Sequence, residues 1–211
     1  MDFSISDLQQ PDRYKVLAAL VIPRPIAWIS TWNESGVANC APFSFFNLVS
    51  SDPPLCAIGI NTRSDGHLKD TLSNIRRTGE FVLNLVDEAN ASAMRVTGQE
   101  FPGDVSEFEQ AGLTPVACNR VAHPRISQAP ASFECIVNRL VAINSNQEIV
   151  IGEIVHVHAR EGVIDPKTLR VSEDLYRPIA RLYGNRYCTT RERFDLPSGL
   201  PIASQRTRES S

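Results

Sequence analysis

The sequence has no apolar run approaching the roughly 20 residues that a membrane span needs, so no membrane partner is expected. It has no excess of positive charge. Its 21 Lys and Arg stand against 24 Asp and Glu, a formal net charge of −3. That balance gives no reason to expect nucleic acid or an anionic lipid surface as partner. Paired cysteines are missing too. Cys40, Cys56, Cys118, Cys135 and Cys188 are scattered singly, with no C-x-x-C. An odd count without metal spacing points to reduced thiols in a cytoplasmic protein, each acting as a small apolar filler. The opening "MDFSISDLQQ" is acidic and lacks a hydrophobic segment, so a secretory signal is not expected. No G-x-G-x-x-G follows a strand, which argues against a Rossmann nucleotide site. No G-x-S-x-G elbow marks a hydrolase serine. Internal repeats and low-complexity blocks are absent.

What is present is the material of one packed domain. The chain has 211 residues, 42% hydrophobic and 21% charged, in the usual range for a globular fold. Residues 1–190 read as a single domain. Residues 191–211 read as a polar tail whose end, "SQRTRESS", is expected to be disordered. "YKVLAAL" (14–20) reads as a short helix with Asp12 as its cap. "RPIAWIST" (24–31) is a strand, and "WNESGVAN" a hairpin loop with Gly36 free to take a positive φ. "PLCAIGIN" (54–61) is a buried strand. In "SDGHLKDTLSNIRRTGEF", Leu68, Leu72 and Ile75 make an amphipathic stripe, Arg76 and Arg77 sit at the C-terminal end, and Gly79 is the stop. "EFVLNLV" (80–86) is another strand. Two short helices are expected in "ANASAMRVTG" and "VSEFEQAGL". Two long strands, 131–143 and 148–159, flank the hairpin signal "NSNQ", and "RLYGNRYCTT" (181–190) is a last strand interrupted at Gly184. Six or seven strands with short links and no regular βαβ alternation favour an antiparallel barrel with helical decorations.

Candidate chemistry is sparse. His156 and His158 stand two apart on a strand and share a face, but no third ligand stands at a suggestive spacing, and no metal is expected. Glu107 and Glu109 read as solvated surface. The helix beginning near Lys69 offers free N–H groups and a positive dipole end. Arg63, Ser64, His67, Lys69 and Thr71 surround it, as a phosphate would require, while Asp70 opposes an anion there unless it caps the helix. An ordinary capped helix fits the same residues. The run "VANCAPFSFFNLVSSDPP" (37–54) is too apolar for a loop and too interrupted for a plain strand. Asn39, Ser44, Asn47, Ser50 and Ser51 alternate with apolar side chains, a lining that suits a flat heterocycle. Pro42 ends regular pairing. An edge strand with a bulge over the core reads equally well from these residues.

In order, "PRPIAWIST", "GVANCAPFSFFNLVSSDPP" and "KDTLSNIRRTGEFVLNLV" resemble the flavin reductase-like family, which includes flavoredoxins and the reductase component of nitrilotriacetate monooxygenase. The resemblance is dense from Pro23 to Val86 and looser through "RLYGNRY". It implies a mainly β fold: a six-stranded antiparallel split barrel of Greek-key type with a few peripheral helices. It further implies a homodimer with FMN, rather than FAD, near the subunit interface. By motif, Ser30 and Thr31 end the first strand beside the ring; Asn39, Ala41, Pro42 and Ser44 line it; Asn47 and Ser50 lie further along that wall. Arg63, Lys69, Asp70 and Thr71 surround the phosphate. The implied activity is NAD(P)H:flavin oxidoreduction, with reduced flavin supplied to a monooxygenase partner. An FMN-binding electron carrier, or a barrel that serves as an interaction module without flavin, are the alternatives. No protein acid, base or nucleophile is required, because a flavin takes hydride at N5. Trp28, Trp32 and Tyr183 are candidates to shield the ring. The short flavin reductases carry a Gly-Gly-Arg-Tyr-His-like segment near the nicotinamide. Here "YGNRYC" puts Cys188 at the histidine position. The insert 89–121 and the tail beyond Arg191 are candidates to cover the flavin.

Overall fold

In the computed structural model, residues 2–63 and 66–196 are described. Helix α1 (Asp12–Leu20) precedes strands β1 (Ala27–Trp32), β2 (Ala38–Phe43), β3 (Phe46–Ser51) and β4 (Pro54–Asn61). Helix α2 (Asp70–Thr78), strand β5 (Glu80–Asn84) and helices α3 (Ala91–Val96) and α4 (Glu107–Gln110) follow. Then come β6 (Pro115–Val116), β7 (Arg125–Ile126), β8 (Ala131–Asn144), β9 (Gln147–Ala159), β10 (Ile179–Arg181) and β11 (Tyr187–Thr189). Pro11, not Asp12, stands at the α1 cap position, and Asp12 lies in the first turn. The expected last strand is a small hairpin, β10–β11, that turns through Gly184.

The main sheet has seven strands in the order β2-β1-β5-β8-β9-β4-β3, all paired antiparallel. Seven replaces the expected six because the Phe-rich run forms two strands, not one bent strand. β2 pairs with β1 at one end of the sheet and β3 with β4 at the other. The two ends are therefore joined by Ser44 and Phe45 alone. Laid flat, six strand spacings would separate them by about 29 Å, whereas three Cα steps from Phe43 to Phe46 span at most about 11 Å. The sheet must roll up, and the antiparallel split barrel follows from connectivity. Pro42 is tolerated because β2 is an end strand and has no second neighbour to receive its missing N–H.

The link closes tightly. The Gly59 N–H in β4 donates to the Phe45 carbonyl at 2.7 Å. A Cβ on Gly59 would lie 3.2 Å from the Phe45 Cβ, so a bare backbone permits the approach. Inside the barrel pack Ile29, Ile58, Ile60, Phe81, Leu83 and Val150, with Leu72 and Ile75 of α2. Each fully buried side chain of this kind stabilises by about 1.5–3 kcal/mol. The α2 stripe fixes how the helix sits against the barrel, and Gly79 terminates it in the left-handed region at φ 72°.

A second core lies on the other face of β1 and β2. Trp28, Cys40 and Ala38 pack there against Met94, Phe108 and Leu113 of the 89–121 insert, together with Ile126 and Ile179. Both faces of β1 are thus buried, and its two polar residues, Ser30 and Thr31, are buried with it. Arg24 knits the pieces together. Its buried guanidinium donates to the carbonyls of Ala18, Val21 (2.8 Å) and Leu182 (2.8 Å), and its backbone exchanges hydrogen bonds with Arg181. Among the described residues no helix is long and apolar enough to cross a membrane. Arg191 and Arg193 pair with Glu88 and Glu173, which ties down the start of the tail. Its remainder, 197–211, including "SQRTRESS", lies outside the described residues.

Candidate functional site

The break between β2 and β3 opens onto the surface as a groove. Two confluent clefts share Tyr14, Pro42, Phe43 and Ser44 as their common wall. One, of about 230 Å³, runs toward Ile26, Met94, Arg95, Gly98, Arg181 and Tyr187. The other, of about 240 Å³, runs toward Phe45, Gly59, Asn61 and Lys69. Together they reach the size range of small-molecule sites. Pro42 and Phe43 give an apolar floor and Ser44 a hydroxyl. The Arg24 Nε points at that hydroxyl at 3.4 Å. Among the described residues no carboxylate pairs with Arg24, so a buried cation compensated only by carbonyl and hydroxyl dipoles sits behind Ser44.

The Lys69 end meets the N-terminus of α2. Lys69 occupies the cap position with extended backbone, and among the described residues no side chain caps the helix. The orphan N–H groups of the first turn are therefore not taken up by a side-chain cap. Asp70 does not cap either. It pairs with Arg63, which neutralises the acid that would oppose an anion. Ser64, the remaining hydroxyl expected there, lies outside the described residues.

Four expected site residues are buried and committed to protein partners. Ser30 has no exposure; its hydroxyl donates to the Pro124 carbonyl at 2.6 Å and accepts from Asn84 Nδ2 at 2.9 Å. Thr31, also unexposed, accepts from Asn74 Nδ2 at 3.0 Å and donates to Asn39 Oδ1 at 3.4 Å. Asn39 Oδ1 also accepts from Thr71 Oγ1 at 3.1 Å, and Asn39 Nδ2 donates to Glu107 Oε1 at 2.9 Å. Glu107 Oε2 accepts from the Cys40 N–H. The reading of Glu107 as solvated surface is thus corrected. It is buried, and the amide hydrogens of Asn39 and Cys40 make that tolerable. Burial pushes its carboxyl up from the ordinary range, and the Asp70 charge adds to this. Glu109, its expected companion, is exposed. The whole chain of bonds ties the insert, β2 and the first turn of α2 into one unit.

Ala41 is half-buried and packs on the barrel core. Asn47 is exposed, and its side chain accepts from the Leu48 N–H at 2.9 Å. Ser50 sits at a register shift between β3 and β4. None of these three lines the groove. Of the expected residues, the fold brings Pro42, Ser44 and Lys69 to it directly.

The shielding aromatics also differ. Trp28 is fully buried with its N–H on Thr97 Oγ1 at 2.9 Å. Trp32 ends β1, where its carbonyl accepts from Arg77. Tyr183 is exposed beside Arg186. The rings at the groove are Tyr14, Phe43, Phe45 and Tyr187. Sequence reasoning missed Tyr14, Arg95 and Arg181. The looser match through "RLYGNRY" was the available signal for Arg181 and Tyr187, while nothing local marks Tyr14. The insert borders the groove through Met94, Arg95 and Gly98. Cys188, in β11 opposite Ala180, is half-buried.

Comparison with known proteins gives concordant matches. Residues 19–189 match the model of the flavin reductase like domain. A protein of Aquifex aeolicus is 42% identical over 187 residues, 89% of this chain and 94% of its own. The crystal structure of 2-nitrobenzoate 2-nitroreductase from Pseudomonas fluorescens superposes with a TM-score of 0.88 at 37% identity, covering 96% of this chain and 100% of that one. Nitrilotriacetate monooxygenase component B from Bacillus cereus gives a TM-score of 0.87 at 31% identity, with 93% and 98% covered.

Proposed function

This chain belongs to the flavin reductase-like family, and we propose that it is an FMN-dependent oxidoreductase that takes hydride from NAD(P)H and passes it on from the groove at the β2–β3 break. The observation that carries the reading is the groove itself, with an apolar wall at Pro42 and Phe43 and Lys69 beside an uncapped helix N-terminus at one end. That donor set fits a flat ring joined to a phosphate. Lys69 and the first-turn N–H groups of α2 would hold the phosphate, with Arg63 neutralising Asp70. Pro42, Phe43 and Ser44 would face the ring. When bound, a flavin accepts and donates hydride at N5.

The chain's own contribution is placement and field. Arg24, buried and lacking a carboxylate partner, favours negative charge on whatever lies against Ser44. The bond chain from Glu107 through Asn39 to Thr71 holds the phosphate end at a fixed distance from the ring end. Tyr14 and Tyr187 narrow the groove and limit water. A homodimer, with FMN close to the subunit interface, completes this reading. The destination of the electrons in this reading is free flavin for a monooxygenase. The 31% identical component B of a monooxygenase supports it.

A second reading is favoured by one observation. Arg95 and Arg181 line the end of the groove away from Lys69. Two guanidinium groups there suit the carboxylate of an aromatic acid, and the 37% identical relative is a 2-nitrobenzoate 2-nitroreductase. In this reading the nitro group of an aromatic acid is reduced directly.

The visible spectrum of the purified protein, followed by anaerobic NADH and NADPH titration, tests the first step. Bleaching of bound FMN by either nicotinamide supports the oxidoreductase. FMN that binds but is never reduced leaves an electron carrier, and absence of FMN binding removes both readings. Turnover with 2-nitrobenzoate that Arg181→Ala abolishes, with free-FMN turnover retained, selects the nitroreductase.

A further inference from the structure

His156 and His158 are not used by the flavin reading. They lie on one face of β9 with rings 4.8 Å apart, edge to face. Sequence spacing gives the pair no third ligand, but the fold brings a carboxylate and a thiol to His158. Glu134 of β8 is fully buried and accepts four hydrogen bonds. Its Oε1 takes the Asn119 N–H at 2.9 Å and His158 Nε2 at 2.6 Å. Its Oε2 takes the N–H groups of Arg120 at 2.6 Å and Val121 at 3.0 Å. Cys118 immediately precedes those three residues. The Cys118 Sγ, a Glu134 oxygen and a His158 ring nitrogen all lie within 4.8 Å of one another. Among the described residues no Lys or Arg pairs with Glu134. Three backbone N–H groups suffice to anchor the loop to Glu134. They leave the convergence of a thiol and an imidazole on the same carboxylate unexplained.

We propose that Cys118, Glu134 and His158 form a site for a divalent transition metal ion of the zinc class. One thiolate, one imidazole and one carboxylate are a ligand set that such an ion accepts. In a tetrahedral site with ligand distances of about 2.0–2.3 Å, ligand atoms stand roughly 3.3–3.6 Å apart. The cluster reaches that geometry when the His158–Glu134 hydrogen bond opens by under about 1 Å, the Cys118 Sγ, within 4.8 Å of the other two ligand atoms, closes by up to about 1.5 Å, and the ion displaces both the proton between His158 and Glu134 and that of the Cys118 thiol. The backbone N–H groups of Asn119, Arg120 and Val121 already orient the carboxylate, as hydrogen-bond donors behind the ligands do in metal sites. His158 also lines a cleft of about 450 Å³ with Arg125, Ser132 and Arg160, which gives an ion and a fourth, exogenous ligand access. The bound ion clamps the 118–121 loop onto the β8–β9 hairpin. This site is separate from the flavin groove and does not depend on it.

The test is titration of the reduced, metal-free full chain with Co²⁺. The expected result is one equivalent bound per chain, with ligand-field bands and a thiolate-to-cobalt charge-transfer band, both removed by Zn²⁺. Cys118→Ser abolishes the charge-transfer band. His158→Asn weakens binding by more than the roughly 10–100-fold cost typical of changing a group that only hydrogen-bonds to a ligand. His156→Asn leaves affinity within a few-fold. Unchanged far-UV circular dichroism and FMN titration show that each variant is folded, and either ligand variant alone suffices should the other fail. No charge-transfer band in the wild type, a band that survives Cys118→Ser, or binding that depends on His156 and not His158 overturns the proposal.

Discussion

Replacing Asn39 by Asp changes one NH₂ group into an oxygen and leaves the volume almost unaltered. In the native chain that NH₂ donates to Glu107 Oε1 at 2.9 Å. The replacement sets two carboxylates face to face in a buried position. At that distance and an effective dielectric of about 20, two full charges repel by about 6 kcal/mol. A shared proton removes the repulsion and restores the hydrogen bond. Taking up that proton at pH 7, by a group whose unfolded pKa is about 4.3, costs about 3–4 kcal/mol. The smaller figure governs, so the variant is destabilised by about 3–4 kcal/mol at pH 7. The sign follows from linkage. The folded variant binds a proton that the unfolded chain has released, so its pair has a raised folded pKa. Stability relative to wild type is retained below about pH 4.3 and is lost as pH rises. For a chain of this size the deficit amounts to roughly 10 °C in Tm at pH 7. Thermal unfolding from pH 4.5 to 7.5, beside Asn39→Ala as a pH-independent control, measures it. A deficit in Asn39→Asp that does not grow with pH would refute the Asn39–Glu107 contact and with it the linkage of insert to groove.

Lys69→Ala weakens FMN roughly 10–100-fold, the loss of one charge-assisted hydrogen bond of about 1.5–3 kcal/mol, and leaves riboflavin affinity unchanged; equal losses in fluorescence titrations would remove Lys69 from phosphate recognition. Gly152→Ala places a Cβ 2.4 Å from Phe81 Cζ and 2.8 Å from its Cε1. Overpacking then costs about 1–3 kcal/mol by urea denaturation, and a neutral result would mean the barrel interior is looser than described. His123 accepts the Trp32 N–H on Nδ1 at 2.9 Å and reaches Thr78 Oγ1 with Nε2 at 2.8 Å, so it is a neutral ring, and burial lowers its pKa further. A depressed His pKa means the unfolded chain takes up the proton first. Stability from this group is complete above about pH 6.5 and falls as pH drops below it; a ring that NMR shows protonating near pH 6.5 would contradict this.

Local order was legible because it is encoded locally. Gly79 and the Leu72–Ile75 stripe delimit α2, and the apolar run 54–61 is β4 residue for residue. The family's motif order also indicated the barrel. The split of the Phe-rich run was not legible, since Pro42 in an end strand and Pro42 in a bulge give the same letters. Glu107 was misread for a related reason. A carboxylate next to Phe108 in a short polar helix looks solvated until the Asn39 amide, 68 residues away, is brought to it. The Cys118, Glu134 and His158 grouping likewise exists only through the β8–β9 register.

The same distinction separates groove residues from wiring within the motif. Asn39, Thr31, Thr71 and Ser30 are the polar letters that attract attention in an apolar run. Each has its hydrogen-bonding capacity taken up by another protein group. Buried polar atoms must be satisfied, so a polar residue deep in a barrel is first of all a structural partner. On the proposed reading, the groups left for a ligand are those at the groove: the Ser44 hydroxyl, the Lys69 ammonium and the first turn of α2. Closing the barrel with a two-residue link creates that break, because Ser44 and Phe45 belong to neither strand. An insertion that lengthened the link would relax the Gly59–Phe45 contact and widen the groove before it disturbed the core. The stability of the closure and the shape of the site are therefore set by the same two residues.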